Sequence, residues 1–348
     1  MYDRNNPYFK EDIENTIDGL DVSKLFGKTI LVTGISGLIG SFLVEVLMYL
    51  NVEQNAGIEI YGIGRDRQKV ASIFGEYYTH PLFHFIEQDV RNPLVIGRIK
   101  IDYVIHGASN AHPRAYAEDP VGTITTNVIG TNNLLRLALS NNAEFLYMST
   151  NNVYGEGLTG AFKEDYDGIV SINTSRSCYP ESKRLCETLC HSYIDQYGLI
   201  AKIVRLSRVF GPTMSDGDSK VSAQFIRYAK AKSDILLKSK GTQCYSYTYT
   251  PDVVSAILFV ILKGLNNEAY NVSNENCNIT LREFASIAAT IVHTRIIFDT
   301  PDDIESKGYM NNQYNILINN KLKKLGWQPK YEMKDAIERT ISIYKEKI

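Results

Sequence analysis

The sequence predicts an α/β protein built on a doubly wound parallel sheet, with a smaller C-terminal lobe. Three observations carry this. Short β-branched apolar runs alternate with helical patterns between residues 28 and 206. A glycine-rich turn, Gly34, Gly37 and Gly40, joins the first run to the first helix. After Pro212 the alternation gives way to Gly-, Ser- and Asn-rich loops between short helices.

In chain order, residues 1–27 read as an N-terminal arm with a short amphipathic helix carrying Ile13, Ile17 and Leu20. Strands are expected at 28–34, 58–64, 83–86, 103–106, 145–149 and 201–206, with helices at 39–50, 121–140 and 181–197 between them. Later helices are expected at 224–232, 251–262 and 281–292. Residues 28–206, completed by about 245–265, therefore form a nucleotide-binding domain. Residues 207–244 and 266–348 form a substrate lobe at the carboxyl ends of the strands.

Composition narrows the function. Of 348 residues, 44% are hydrophobic and 22% charged, enough for a packed core. Lys and Arg number 37 against 39 Asp and Glu, so there is no basic excess to neutralise nucleic-acid phosphates. The apolar run at 253–262 falls short of the about 20 residues that span a bilayer, and residues 1–15 have no apolar signal core. A cytoplasmic location is the default. Five cysteines make no disulfide framework, and Cys186 and Cys190 read as buried thiols, not metal ligands.

The turn at 33–40 is built for a dinucleotide. Gly34 permits the tight bend, Gly37 lets the backbone approach a pyrophosphate, and Gly40 lets helix and strand pack closely. The helix then points free N–H groups at the phosphates, with Ser36, Leu38 and Ile39 beside them. This makes the domain Rossmann-like. Where the second strand ends, an acid would hold the ribose 2′-OH of NAD(H) and an arginine the 2′-phosphate of NADP(H). Arg65 stands there and Asp66 follows, so the reading leans to NADP(H), with Asp66 able to serve NAD(H) if Arg65 is only a solvated loop residue.

Tyr179 and Lys183 lie one helical turn apart. A nearby ammonium favours the phenolate, so Tyr179 can shuttle a proton between an alcohol and a ketone while hydride moves on the nicotinamide. Lys183 can also hold the cofactor ribose. Thr150, ending the fifth strand, is the candidate to orient the reacting oxygen, with Ser149 as the fallback.

These residues resemble the extended short-chain dehydrogenase/reductases of the nucleotide-sugar epimerase, dehydratase and decarboxylase group. The resemblance spans about residues 28–330 and rests on 33–40, 89–92, 106–109, 127–131, 149–155, 179–183, 205–212, 247–252 and 325–329. It implies that Asp89 and Val90 contact the adenine and that Ala108 and Ser109 line the cofactor channel. It also implies Asn127 beside the active site, a nucleoside-diphosphate sugar in the C-terminal lobe, and a homodimer through helices 121–140 and 181–197. Departures narrow the chemistry. Dehydratases of the group carry Asp-Glu at the positions of Asn151 and Asn152, and UDP-glucuronate decarboxylases carry glutamate at that of Asn152. Carboxamides do not titrate, so elimination and decarboxylation are disfavoured. Were either to occur, another residue, such as Glu156 or Glu181, would supply the base. The group often has Asn in place of Arg208 and Arg in place of Tyr245. This suggests that Arg208 reaches the diphosphate while Tyr245 stacks or hydrogen-bonds, or else that Arg208 pairs with a carboxylate; Gln224 completes the substrate set. The expected activity is NAD(P)-dependent reduction of a nucleotide keto-sugar in surface-polysaccharide precursor synthesis. Epimerisation through a transient ketone is the alternative, and a non-catalytic dinucleotide-binding regulator the remote one.

Overall fold

Strand β1 (Thr29–Thr33) is the axis of the molecule. It pairs in parallel with β2 (Glu59–Gly64) on one side and β4 (Tyr103–His106) on the other. The sheet extends through β3 (Phe83–Glu87) at one edge and through β5 (Glu144–Thr150), β7 (Ala201–Leu206) and β11 (Ala269–Val272) at the other. Its order is β11-β7-β5-β4-β1-β2-β3, parallel throughout. The chain reverses its direction of winding between β1 and β4, and the crevice there is where such sheets bind ligands. The computed structural model describes residues 2–94, 96–97, 99–155, 160–299 and 314–345.

Both faces of the sheet are covered, which is why β1 is buried from Ile30 to Thr33. On one face lie α1 (Pro7–Ile17), α2 (Leu38–Gln54) and α8 (Thr250–Lys263), contributing Phe9, Phe42, Leu47, Val253 and Ile257 to a common core. On the other lie α5 (Pro120–Asn141) and α6 (Cys178–Tyr197), whose Leu134, Leu135, Cys186 and Cys190 pack on Phe145 and Ile203. All five cysteines are free and buried. The short helices α3 (Arg67–Phe74) and α4 (Pro113–Glu118) follow β2 and β4.

The smaller lobe has its own sheet, β12-β10-β14-β6, from Asn278–Thr280, Cys244–Tyr249, Tyr314–Leu317 and Gly160–Phe162; β8 (Arg208–Phe210) also pairs with β10. A two-stranded ribbon joins β9 (Ile235–Leu237) to β13 (Ile296–Phe298). Helices α7 (Val221–Lys230) and α9 (Leu281–Val292) and the helix Met333–Ile343 enclose a second core around Phe225, Tyr247, Phe284 and Ile337.

Three details differ from the sequence reading. β11 lies within the stretch 266–348 expected in the substrate lobe, yet it pairs with β7 and forms the edge of the main sheet. Helix α7 starts three residues earlier than expected and stops at Lys230, because Lys232 takes a left-handed φ of 50°. The arm is docked: α1 buries Phe9, Ile13 and the charged Asp12, and it ends at Ile17, before Leu20. Asp12 receives hydrogen bonds from Arg339 (3.0 Å) and the Tyr249 hydroxyl (2.6 Å). Burial pushes its carboxyl up to about 6 despite these partners. Beside it, Tyr2 bridges Tyr344 and the Asn6 amide reaches Ser342.

Candidate active site

The glycine turn closes the crevice from below. Gly34 has a φ of 75°, and a Cβ there would stand 2.9 Å from the Gly107 carbonyl. A Cβ on Gly40 would stand 2.4 Å from the Gly34 oxygen. Gly37 is the N-cap of α2 and uses no side chain, so the first N–H groups of that helix face the crevice. Thr33 ties the ends of β1 and β4 together: its hydroxyl lies 2.7 Å from His106 Nδ1 and accepts from the Gly107 and Ala108 N–H groups. Burial, with Lys183 nearby, pushes His106 down to about 3, so it is a neutral structural ring.

One cleft of about 880 Å³ runs from this turn to the smaller lobe. Of the described candidate site residues named above, all but Asp66, Asn127 and Glu181 line it. Thr126 takes the place of Asn127 in the wall, while the Asn127 amide turns away and donates to Ser182 Oγ at 2.8 Å.

At the β2 end of the cleft stand Arg65 and Lys69. The two acids nearby have other partners. Asp66 caps α3, accepting from the Lys69 N–H at 2.9 Å. Asp89 is gripped by the Arg91 guanidinium (3.0 and 2.8 Å), which holds its carboxyl below the usual range, with Arg65 adding to the effect. Further in, the buried Ser109 Oγ has no hydrogen-bond partner among the described residues. An unpartnered hydroxyl in the wall, a glycine cradle and a cationic end together fit a nicotinamide dinucleotide.

Thr150 and Tyr179 meet where β5 ends, and the Thr150 hydroxyl, which donates to Asn151 Oδ1 at 3.3 Å, favours the phenolate. Tyr179 is buried, and its ring stacks on Tyr116 at 5.3 Å with an interplanar angle of 12°. Burial pushes the phenol up to about 12; Thr150 opposes this and Tyr116 adds to it. The expected lowering by Lys183 is absent, because the lysine is engaged elsewhere. Its Nζ donates to the Met148 carbonyl at 2.8 Å and sits 4.7 Å above the Tyr147 ring. Burial pushes Lys183 down to about 8. Ser149, the fallback for Thr150, is also engaged: it donates to Glu187, which is held by a bidentate ion pair with Arg205. Thr150 is the one of the two that lies beside the phenol.

In the smaller lobe, the Arg208 guanidinium lies flat on Tyr245, 3.5 Å from the ring centroid. No carboxylate among the described residues pairs with it. The Asn151 amide donates to Asn315 on β14 at 3.0 Å, and Asn152 is half-buried in the cleft wall. The Gln224 amide donates to the Ser219 carbonyl. Glu181 stands 3.8 Å from Arg184 on the same helix, and Glu156 lies outside the described residues.

Sequence reasoning missed one pair in the cleft. His112 Nδ1 lies 3.1 Å from Asp218 Oδ1, across 106 residues of chain. A histidine just after β4 was the only local signal, since its partner comes from a loop of the other lobe.

Comparison with known proteins identifies relatives of the chain. The profile described as the NAD dependent epimerase/dehydratase family matches residues 30–273. UDP-glucuronic acid decarboxylase 6 of Arabidopsis thaliana is 34% identical over 313 residues, 88% of this chain and 86% of the relative. UDP-glucuronic acid decarboxylase 1 of Danio rerio is 29% identical over 325 residues, 92% of this chain and 73% of the relative. Among solved structures, UDP-glucose 4-epimerase of Thermotoga maritima superposes with a TM-score of 0.75 at 23% identity, covering 90% of this chain and 97% of that one. UDP-glucuronic acid 4-epimerase of Bacillus cereus, in complex with UDP-glucuronic acid and NAD, gives 0.75 at 23% identity, covering 90% and 98%.

Proposed function

The chain belongs to the NAD-dependent epimerase/dehydratase family, and on that premise we propose that it reduces a keto group on a nucleoside-diphosphate sugar, using NADPH. The observation that carries this is the proton inventory around Thr150. Tyr179, with burial holding it up at about 12, is a neutral phenol at physiological pH and so a donor. Asn151 and Asn152 stand where elimination and decarboxylation need a titrating group. The decarboxylases that resemble this chain so well therefore do not lend it their reaction.

When bound, the nicotinamide supplies the hydride. Thr150 holds the carbonyl oxygen, Tyr179 gives it a proton, and Lys183 reaches the cofactor ribose once it leaves the Met148 carbonyl. Arg65 and Lys69 meet a 2′-phosphate, and the stacked Arg208 offers its edge N–H groups to the diphosphate. Epimerisation through a transient ketone is the second reading; a cleft of about 880 Å³ leaves room for the sugar to turn. The same proposal includes a cytoplasmic role in surface-polysaccharide precursor synthesis. It also includes a homodimer across α5 and α6, where Val121, Ile124, Ile129 and Leu185 are exposed.

The test follows absorbance at 340 nm with NADPH or NADH and a panel of nucleotide keto-sugars, with product masses measured in parallel. Cofactor oxidation with the sugar skeleton intact supports reduction. Interconversion of sugars without net cofactor change supports epimerisation. Loss of 18 or 44 mass units, water or carbon dioxide, at native-like rates from nucleotide hexoses or hexuronates overturns both readings.

A further inference from the structure

The mechanism above leaves the His112–Asp218 pair unused. His112 is the N-cap of α4, and its side chain is 41% exposed, whereas that of Asp218 is 4% exposed. Burial raises the Asp218 carboxyl, but His112 and Lys220 outweigh it and hold the group at about 2. Asp218 is therefore an ionised acceptor, so Nδ1 is the donor of the pair and Nε2 is the ring nitrogen that the pair leaves unused. Lys220 Nζ stands 3.8 Å from the other Asp218 oxygen, and on α4 itself Arg114 pairs with Glu118 in solvent. An anion site fits poorly here, because the carboxylate cancels the charge that a protonated ring would offer. A fixed ring with an open nitrogen suits proton transfer.

The pair also stands close to the chemistry. The Tyr116 N–H bonds to the His112 carbonyl at 3.1 Å, one helical turn on, and the Tyr116 ring is the one stacked on Tyr179. His112 thus reaches the cleft from β4, and Thr150 and Tyr179 reach it from the β5 side.

Resting on the reading that the cleft takes a nucleotide keto-sugar, we propose that His112 removes and returns the proton on the sugar carbon next to the carbonyl, with Asp218 as its positioning residue. Nε2 takes the proton as the C–H bond breaks, and that electron pair forms the carbon–carbon double bond of an enol. The carbonyl oxygen takes the Tyr179 proton. In reverse, Nε2 returns a proton to carbon and the enol returns its own to the phenolate, so nothing is oxidised or reduced. The protein then has a second activity, exchange of that carbon's hydrogen with solvent.

The experiment incubates the enzyme with UDP- and dTDP-linked 4-keto-sugars in deuterium oxide, once with NADPH and once with NADP⁺, where no reduction occurs. Deuterium is located by mass spectrometry and proton NMR, and reduction is followed by absorbance. Wild type is expected to place deuterium on the carbon beside the carbonyl. His112→Asn keeps a donor for Asp218 but does not titrate. It should lower the ratio of exchange to reduction by roughly 10²–10⁴-fold. Asp218→Asn should lower the same ratio by a smaller factor. Absence of exchange under both conditions overturns the proposal, as does a ratio unchanged in His112→Asn, which would make the pair a latch between the lobes. Exchange without any reduction instead counts against the reductase reading alone.

Discussion

Replacing Arg65 by alanine should separate the two nicotinamide cofactors. Arg65 stands just past β2 at the rim of the cleft, and the acids beside it are committed, Asp66 to the α3 cap and Asp89 to Arg91. A hydrogen bond to a charged group contributes about 1.5–3 kcal/mol. Arg65 is exposed, so solvent screening places it at the lower end, about 1.5 kcal/mol, or roughly tenfold in affinity. Lys69 also lines this end and would retain part of the attraction. Arg65→Ala should therefore weaken NADPH about tenfold and NADH less than about twofold. The NADPH preference of the wild type should shrink as salt rises, since the Debye length falls from about 8 Å at physiological ionic strength to about 3 Å at 1 M. Calorimetric titration of both cofactors, with each protein at two salt concentrations, reads these values. Equal shifts for NADPH and NADH, or tighter NADH binding by the wild type, would refute the assignment of Arg65 to a 2′-phosphate.

Tyr179→Phe should lower kcat by roughly 10²–10⁴-fold while cofactor affinity survives; steady-state rates near wild type would sink its role as proton donor. Gly34→Ala places a Cβ 2.9 Å from the Gly107 carbonyl at a φ of 75°. It should cost about 1–3 kcal/mol of stability and abolish dinucleotide binding, read by urea unfolding and by titration. His106 is held at about 3 in the folded protein, against about 6.5 when unfolded. Its contribution is complete above about pH 6.5 and is lost as pH falls towards 3, at up to about 1.4 kcal/mol per pH unit. His106→Gln should flatten that part of the curve of urea midpoint against pH, and an unchanged slope would contradict the burial argument.

Much of the main sheet was legible because its signals are local. A buried parallel strand reads as a continuous apolar run, and the turn at Gly34, Gly37 and Gly40 announces its own geometry. β11 escaped because Ala269–Val272 is four residues long and owes its place to β7, some 65 positions earlier. The site divides in the same way. Tyr179 and Lys183 are neighbours on one helix, so their proximity follows from spacing alone. Where the Lys183 ammonium points does not follow, since it depends on the Met148 carbonyl and the Tyr147 ring on β5. Arg208 and Tyr245 were singled out one by one, and pairing of β8 with β10 put them in contact. His112 and Asp218 lie in different lobes, and no periodicity joins them.

The clamp around Asp12 sets an order on how the polypeptide is made. Helix α1 leaves the ribosome well before Arg339, which answers the Asp12 charge from 327 positions further along the chain. Tyr2 and Asn6 wait equally long for Tyr344 and Ser342. Until then α1 carries an acid it cannot bury ionised without great cost. Its final docking on the sheet therefore waits until the helix that carries Arg339 has emerged.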